Sequence, residues 1–203
     1  MCTCSNPKIL VITSRKRFEG EADFLKQIEK IAAAKPFGIV LREKDLPVKE
    51  YSELARKVRD ICRSAGASLI VHSHPEVARE LGIPALHMPL DALEKMSSEE
   101  RKEFRVLGAS CHSVDDVLRA KALGCDYVTA GHVYATDCKP GRPPRGADFL
   151  AEVCGPAAPM PAGRSRGLRH DELRHGCGEP GGTVPKVLGI RFLFQTRNDI
   201  MKS

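Results

Sequence analysis

The chain has 203 residues, 42% hydrophobic and 29% charged, a balance that excludes wholesale disorder and is enough for one domain with a sizeable core. No uninterrupted apolar run approaches the roughly 20 residues that span a bilayer, and the N-terminus MCTCSNPK lacks the apolar centre of a secretory leader, so a soluble, cytoplasmic protein with no membrane partner is expected. The formal charge of +6 falls largely after Gly163, aromatic residues are 5% and tryptophan is absent, which weighs against a nucleic-acid partner and leaves room for a phosphorylated small molecule.

Taken in chain order, the sequence alternates β-branched runs with amphipathic ones. KILVITSR precedes EADFLKQIEKIAAA, GIVLRE precedes YSELARKVRDICRSA, and SLIVHS precedes PEVARELG. PALHMP then leads to LDALEKMSSEERKEF, RVLGAS to VDDVLRAKALG, and DYVTAGHVYA to ADFLAEVCG. These six units read as parallel strands buried on both faces and covered by helices. An open doubly wound sheet and a (β/α)8 barrel both fit that alternation. No GxGxxG follows the first strand, and polar residues gather at the C-terminal end of strand after strand (Arg42 and Lys44, His72 and His74, His87, Ser110 and His112, then His132), so the α/β fold expected is the barrel.

Residues 1–155 are therefore expected to form a partial TIM barrel. From 156 to 203 the chain is rich in Gly, Pro and Arg and lacks periodicity, although VPKVLGIRFLFQ has the composition of one late strand. The eight cysteines include no CxxC pair and lie mostly in apolar segments, which points to reduced thiols.

Several residues carry candidate chemistry. In LREKD, Arg42 and Lys44 project from the same face of an extended segment and have the geometry to clamp a phosphate or diphosphate; a solvated strand end with a surface ion pair fits the spacing too. His72 and His74 in VHSH also share a face, but without an acidic or cysteine ligand beside them they read better as polar loop residues than as metal ligands. Cys111 and His112 are adjacent, which sends their side chains apart and argues against a nucleophile with its base. His132, in the stretch GHVYATDCKPG at the end of the sixth strand, is placed for acid/base chemistry at a barrel mouth, with Thr136 and Lys139 nearby as anion contacts.

The segments LREKDLPVKEYSELA, LIVHS with PEVARELG, GASCHSVDDVLRAKALGCDYVTAGHVYATDCKPG and GADFLAEV resemble, in order, the superfamily of thiamine phosphate synthase and thiazole tautomerase (TenI). The resemblance implies a (β/α)8 barrel acting in thiamine biosynthesis on a small phosphorylated thiazole. In the synthase branch that thiazole is joined to a hydroxymethylpyrimidine diphosphate, pyrophosphate leaves, and Mg2+ is the cofactor. In the tautomerase branch a histidine moves a proton within a thiazole carboxylate phosphate, and no cofactor is needed. Matched to the family pattern, His132 is the catalytic acid/base of the second branch, while Arg42, Lys44, Thr136 and Lys139 are substrate-binding positions.

Synthases carry an Asn-Asp pair at the end of the third strand, where this chain has His72 and Ser73, and Asp91 after the fourth strand is out of register with the second magnesium carboxylate. A histidine also replaces the synthase proline at 132. These departures make the tautomerase the leading expectation, with the synthase as its alternative and a non-catalytic ligand-binding relative as a third reading. The family's Gly-Gly and last-strand phosphate loops are missing from the tail. A one-base shift of codons able to encode RGLRHDELRHG reads GVCVMTSSVM, close to the missing last strand, so a frameshift after about Cys154 is a specific account of the tail.

Overall fold

The computed structural model describes residues 9–131 and 145–154 together with a short strand at 186–188. Strands and helices alternate through β1 (Leu10–Ile12), α1 (Glu21–Ala33), β2 (Gly38–Leu41), α2 (Val48–Ala65), β3 (Leu69–His72), α3 (Pro75–Glu80) and β4 (Ala85–Pro89). They continue through α4 (Leu90–Glu94), α5 (Ser98–Lys102), β5 (Val106–Cys111), α6 (Val114–Ala122), β6 (Tyr127–Ala130), α7 (Gly146–Cys154) and β7 (Lys186–Leu188). The last of these lies in the VPKVLGIRFLFQ stretch, so the expected late strand is present.

Local chemistry accounts for the element boundaries. In α2 the buried residues Tyr51, Leu54, Ala55, Val58 and Cys62 recur every three or four positions, the spacing of one helical face. The helix stops at Gly66, whose φ of 68° is left-handed and lets its amide reach the carbonyls of Cys62 and Arg63. The segment LDALEKMSSEERKEF, expected as one helix, is two: Ser97 opens a capping box with Glu100, and its preference for the N-cap over a helix interior starts α5 afresh. A second capping box, Ser113 with Asp116, opens α6.

Among the described residues all pairings are parallel, and seven strands lie in sequence order from β1 to β7. A doubly wound sheet reverses direction at a switch point, whereas this order advances one way, as in a barrel. Among the described residues, α1, α2, α3, α4, α6 and α7 pack on one face of the sheet. Val11, Ile39, Leu41, Val71, Leu86, Leu107 and Val128 meet Phe24, Ile28, Tyr51, Leu54, Leu93 and Val117 there. The alternate strand residues Leu10, Val40, Ile70, Ala85 and Tyr127 form a separate cluster with no helical member, joined by Ile12, Phe37 and Val106. That second cluster is the inner side of a curled, incomplete barrel, and it is the floor of the site described next.

Candidate site at the strand ends

The period of two that directs Val40, Ile70, Ala85 and Tyr127 inward also directs the residues two positions later: Arg42, His72, His87 and Thr129. Ser110 joins them, because it pairs in register with Thr129 on β6. The C-terminal ends of five consecutive strands thus bring one arginine, two imidazoles and two hydroxyls above an apolar floor.

Hydrogen bonds connect most of this set. His87 is 2% exposed; its Nδ1 lies 3.0 Å from the Tyr127 hydroxyl and its Nε2 2.9 Å from Ser110 Oγ. Thr129 Oγ1 donates to the same serine oxygen at 3.4 Å. The His72 ring stacks on His87 with centroids 5.6 Å apart, and its Nδ1 meets Ser73 Oγ at 2.7 Å. Burial, then electrostatic repulsion that its protonated form would meet from His87, Arg42, Lys44 and His74, lowers the His72 pKa to about 3. Burial and then Arg42 lower that of His87 to about 4. Both imidazoles are neutral at neutral pH.

Tyr51 of α2 fixes the spacing between two of these strand ends. Its hydroxyl donates to the Leu41 carbonyl at 2.6 Å and accepts the His72 amide at 3.1 Å.

The LREKD segment alternates between two environments. Glu43 is buried and accepts the Thr13 hydroxyl at 2.5 Å and the Arg15 amide at 3.1 Å, while the Arg42 amide donates back to Thr13 Oγ1 at 3.0 Å. Asp45 pairs with Arg15 at 2.5 Å and with Lys16 at 3.6 Å. Arg42 and Lys44 are exposed, and neither has a carboxylate partner among the described residues. The surface ion pair compatible with this spacing therefore exists, but it uses Asp45 and leaves the two cations open. Partial burial and the charge of Arg42 push the Lys44 pKa down.

Other sequence-level candidates separate. His72 belongs to β3 and is buried, a correction to its reading as a loop residue: the strand continues through it because its ring has His87 to stack on. His74 precedes α3 and faces Glu76 at 3.1 Å. Cys111 lies in the core against the helices, where burial pushes its thiol up to about 12, while His112 turns away and places Nδ1 2.6 Å from the Gly131 carbonyl. His132, Thr136 and Lys139 lie outside the described residues.

The described strand ends do not fit a magnesium ion. A hard cation needs oxygen ligands, yet the end of β3 offers an imidazole and the Ser73 hydroxyl already bonded to it, and Glu43 is committed to Thr13 and Arg15. Among the described residues no group of three or more His, Cys, Asp or Glu is arranged to hold a metal.

The linked set of His87, Ser110 and Tyr127 had no role in the sequence reading beyond the strand-end position of its first two members. Tyr127 looks like any apolar strand residue, and the sequence shows only that it shares a strand face with Thr129; its place opposite Gly108 comes from the register of β5 and β6.

Comparison with known proteins leads to the same barrel. The family model described as thiamine monophosphate synthase matches residues 9–164. A thiamine-phosphate synthase of Moorella thermoacetica is 31% identical over 135 residues, covering 64% of this chain and 61% of the relative. The thiamine biosynthesis bifunctional protein ThiM/ThiE of Symbiobacterium thermophilum is 29% identical over 171 residues, covering 74% of this chain but 35% of that longer protein. The solved thiamine phosphate pyrophosphorylase of Pyrococcus furiosus superposes with a TM-score of 0.58 at 25% identity, over 72% of this chain and 68% of the other. A family match across three quarters of the chain, on a curled parallel sheet whose strand ends carry the polar groups, places the protein in the thiamine monophosphate synthase family.

Proposed function

We propose that the protein is a thiamine-phosphate synthase, joining a hydroxymethylpyrimidine diphosphate to a thiazole phosphate with loss of pyrophosphate. The observation that carries this reading is the open pair of cations, Arg42 and Lys44, at the end of β2 beside the buried imidazoles. A planar guanidinium and a point charge, held on one face by Glu43 between them, suit the oxygens of a diphosphate. The names of the relatives support coupling rather than isomerisation. On this chain the described residues contribute binding and orientation of the diphosphate through Arg42 and Lys44.

The test is direct. The protein mixed with both substrates and magnesium is expected to form thiamine phosphate, and Arg42→Ala or Lys44→Ala to raise KM for the diphosphate substrate roughly tenfold or more, the scale of a lost charge-assisted contact. Absence of thiamine phosphate in the wild type would sink the reading.

A second reading is favoured by His72 and Ser73 standing where a magnesium-binding pair is expected. In it the protein is a thiazole tautomerase, His132 moves the proton, and Thr136 and Lys139 help hold the phosphorylated substrate. Metal-independent isomerisation of the thiazole carboxylate phosphate, lost in His132→Ala, would establish this activity instead.

A further inference from the structure

We infer that the Tyr127 hydroxyl selects the tautomer of His87 and so commits Ser110 to donate its proton toward a bound ligand, making this point of the site specific for a substrate atom with a free lone pair. The inference deepens the proposed function and rests on its reading of the strand ends as the ligand-facing side.

Tyr127 is 1% exposed, and His87 Nδ1 at 3.0 Å is the hydrogen-bond partner of its hydroxyl. A phenol proton buried without an acceptor is costly, and burial raises the Tyr127 pKa, so the hydroxyl stays protonated and must donate. Nδ1 is then the acceptor. Were Nδ1 to carry the proton, the tyrosine proton would have no partner among the described residues, an arrangement disfavoured on the order of ten- to a hundredfold.

With Nδ1 accepting, the ring proton of neutral His87 sits on Nε2 and donates to Ser110 Oγ at 2.9 Å. Thr129 Oγ1 donates to that same oxygen at 3.4 Å. A serine oxygen accepts two hydrogen bonds and donates one. Both accepting positions are therefore filled, and the remaining proton of half-buried Ser110 is left for whatever occupies the site. The groups facing His87 are Tyr127, Ser110, the neutral His72 ring and cationic Arg42, none of which draws a second proton onto the imidazole. The complementary ligand atom is a hydrogen-bond acceptor: an unprotonated ring nitrogen or a carboxylate oxygen qualifies, whereas an N–H at the same place meets a donor.

Nitrogen-15 NMR of the histidine rings tests the relay on the whole protein without substrate. In the wild type His87 is expected to be protonated at Nε2 and bare at Nδ1. A proton on Nδ1 overturns the inference. Tyr127→Phe keeps the ring above Gly108 and against Phe37 while removing only the hydroxyl, and is expected to move population toward the Nδ1–H form. An unchanged tautomer in this variant also overturns it. In turnover, Tyr127→Phe is expected to raise KM for the pyrimidine diphosphate, which the proposed function sets at Arg42 and Lys44 beside these imidazoles, roughly three- to tenfold, more than it lowers kcat, and Ser110→Ala to add little to it in the double variant. Additive losses would make Tyr127 merely structural. Should the phenylalanine variant not fold, the wild-type ring signals still decide. Should the protein form no thiamine phosphate, the proposed function fails while the tautomer result stands on its own.

Discussion

His72 and His87 cannot both be buried side by side and also welcome protons. Their pKa values are lowered to about 3 and about 4 from an unfolded value near 6.5, so below that value the unfolded chain binds more protons than the folded one. The stability they contribute is complete above about pH 6.5 and is lost progressively as pH falls toward 4, by an amount on the order of a few kcal/mol. Urea denaturation midpoints are expected to drop between pH 7 and pH 5, before the carboxylates titrate, and His87→Gln to flatten that slope. A midpoint insensitive to pH over this interval would show that the imidazoles are not buried as neutral rings. At this scale the sequence was partly legible. The same-face placement of Arg42 and Lys44 follows from a two-residue period, whereas the burial of His72 depends on a ring from another strand, which no local pattern announces.

Strands β5 and β6 show how one element shapes its neighbour. Gly108 faces inward opposite Tyr127, and a methyl group at that position would overlap the tyrosine ring. Gly108→Ala is expected to destabilise the protein by roughly 1–3 kcal/mol, the scale of overpacking in a tight core, and to displace the ring that positions His87. The check is a chemical-denaturation midpoint beside the His87 ring-nitrogen signals; wild-type values for both would remove the glycine from the account. Helix boundaries were legible where side chains decide them locally, as in the Gly66 stop. The break at Ser97 was missed because periodicity on both sides of a serine looks continuous until its hydroxyl is seen capping Glu100.

Across the whole molecule, the direction of winding was legible because six strand–helix alternations, with polar residues at every strand end, leave few parallel architectures. How far the sheet closes was not, since closure depends on contacts between the two ends of the chain. The observed order runs from β1 to β7, and among the described residues β1 is bonded on one side, to β2. Edge strands open locally more easily than interior ones. Amide hydrogens of β1 are therefore expected to exchange faster than those of β3 to β5 in hydrogen-exchange mass spectrometry. Equal protection would mean that another segment pairs with β1.

The alternation inside LREKD has one more effect. Because Glu43 is held beneath the surface, Arg42 and Lys44 leave the chain on the same side, near enough for the charge of Arg42 to lower the Lys44 pKa, and an anion bound between them offsets that repulsion. Inorganic pyrophosphate should then act as a thermal stabiliser as well as a ligand. A rise in melting temperature that shrinks with added salt and disappears in the Arg42→Ala, Lys44→Ala double variant would show the two cations acting together on the anion, and an unchanged melting temperature would show that they do not.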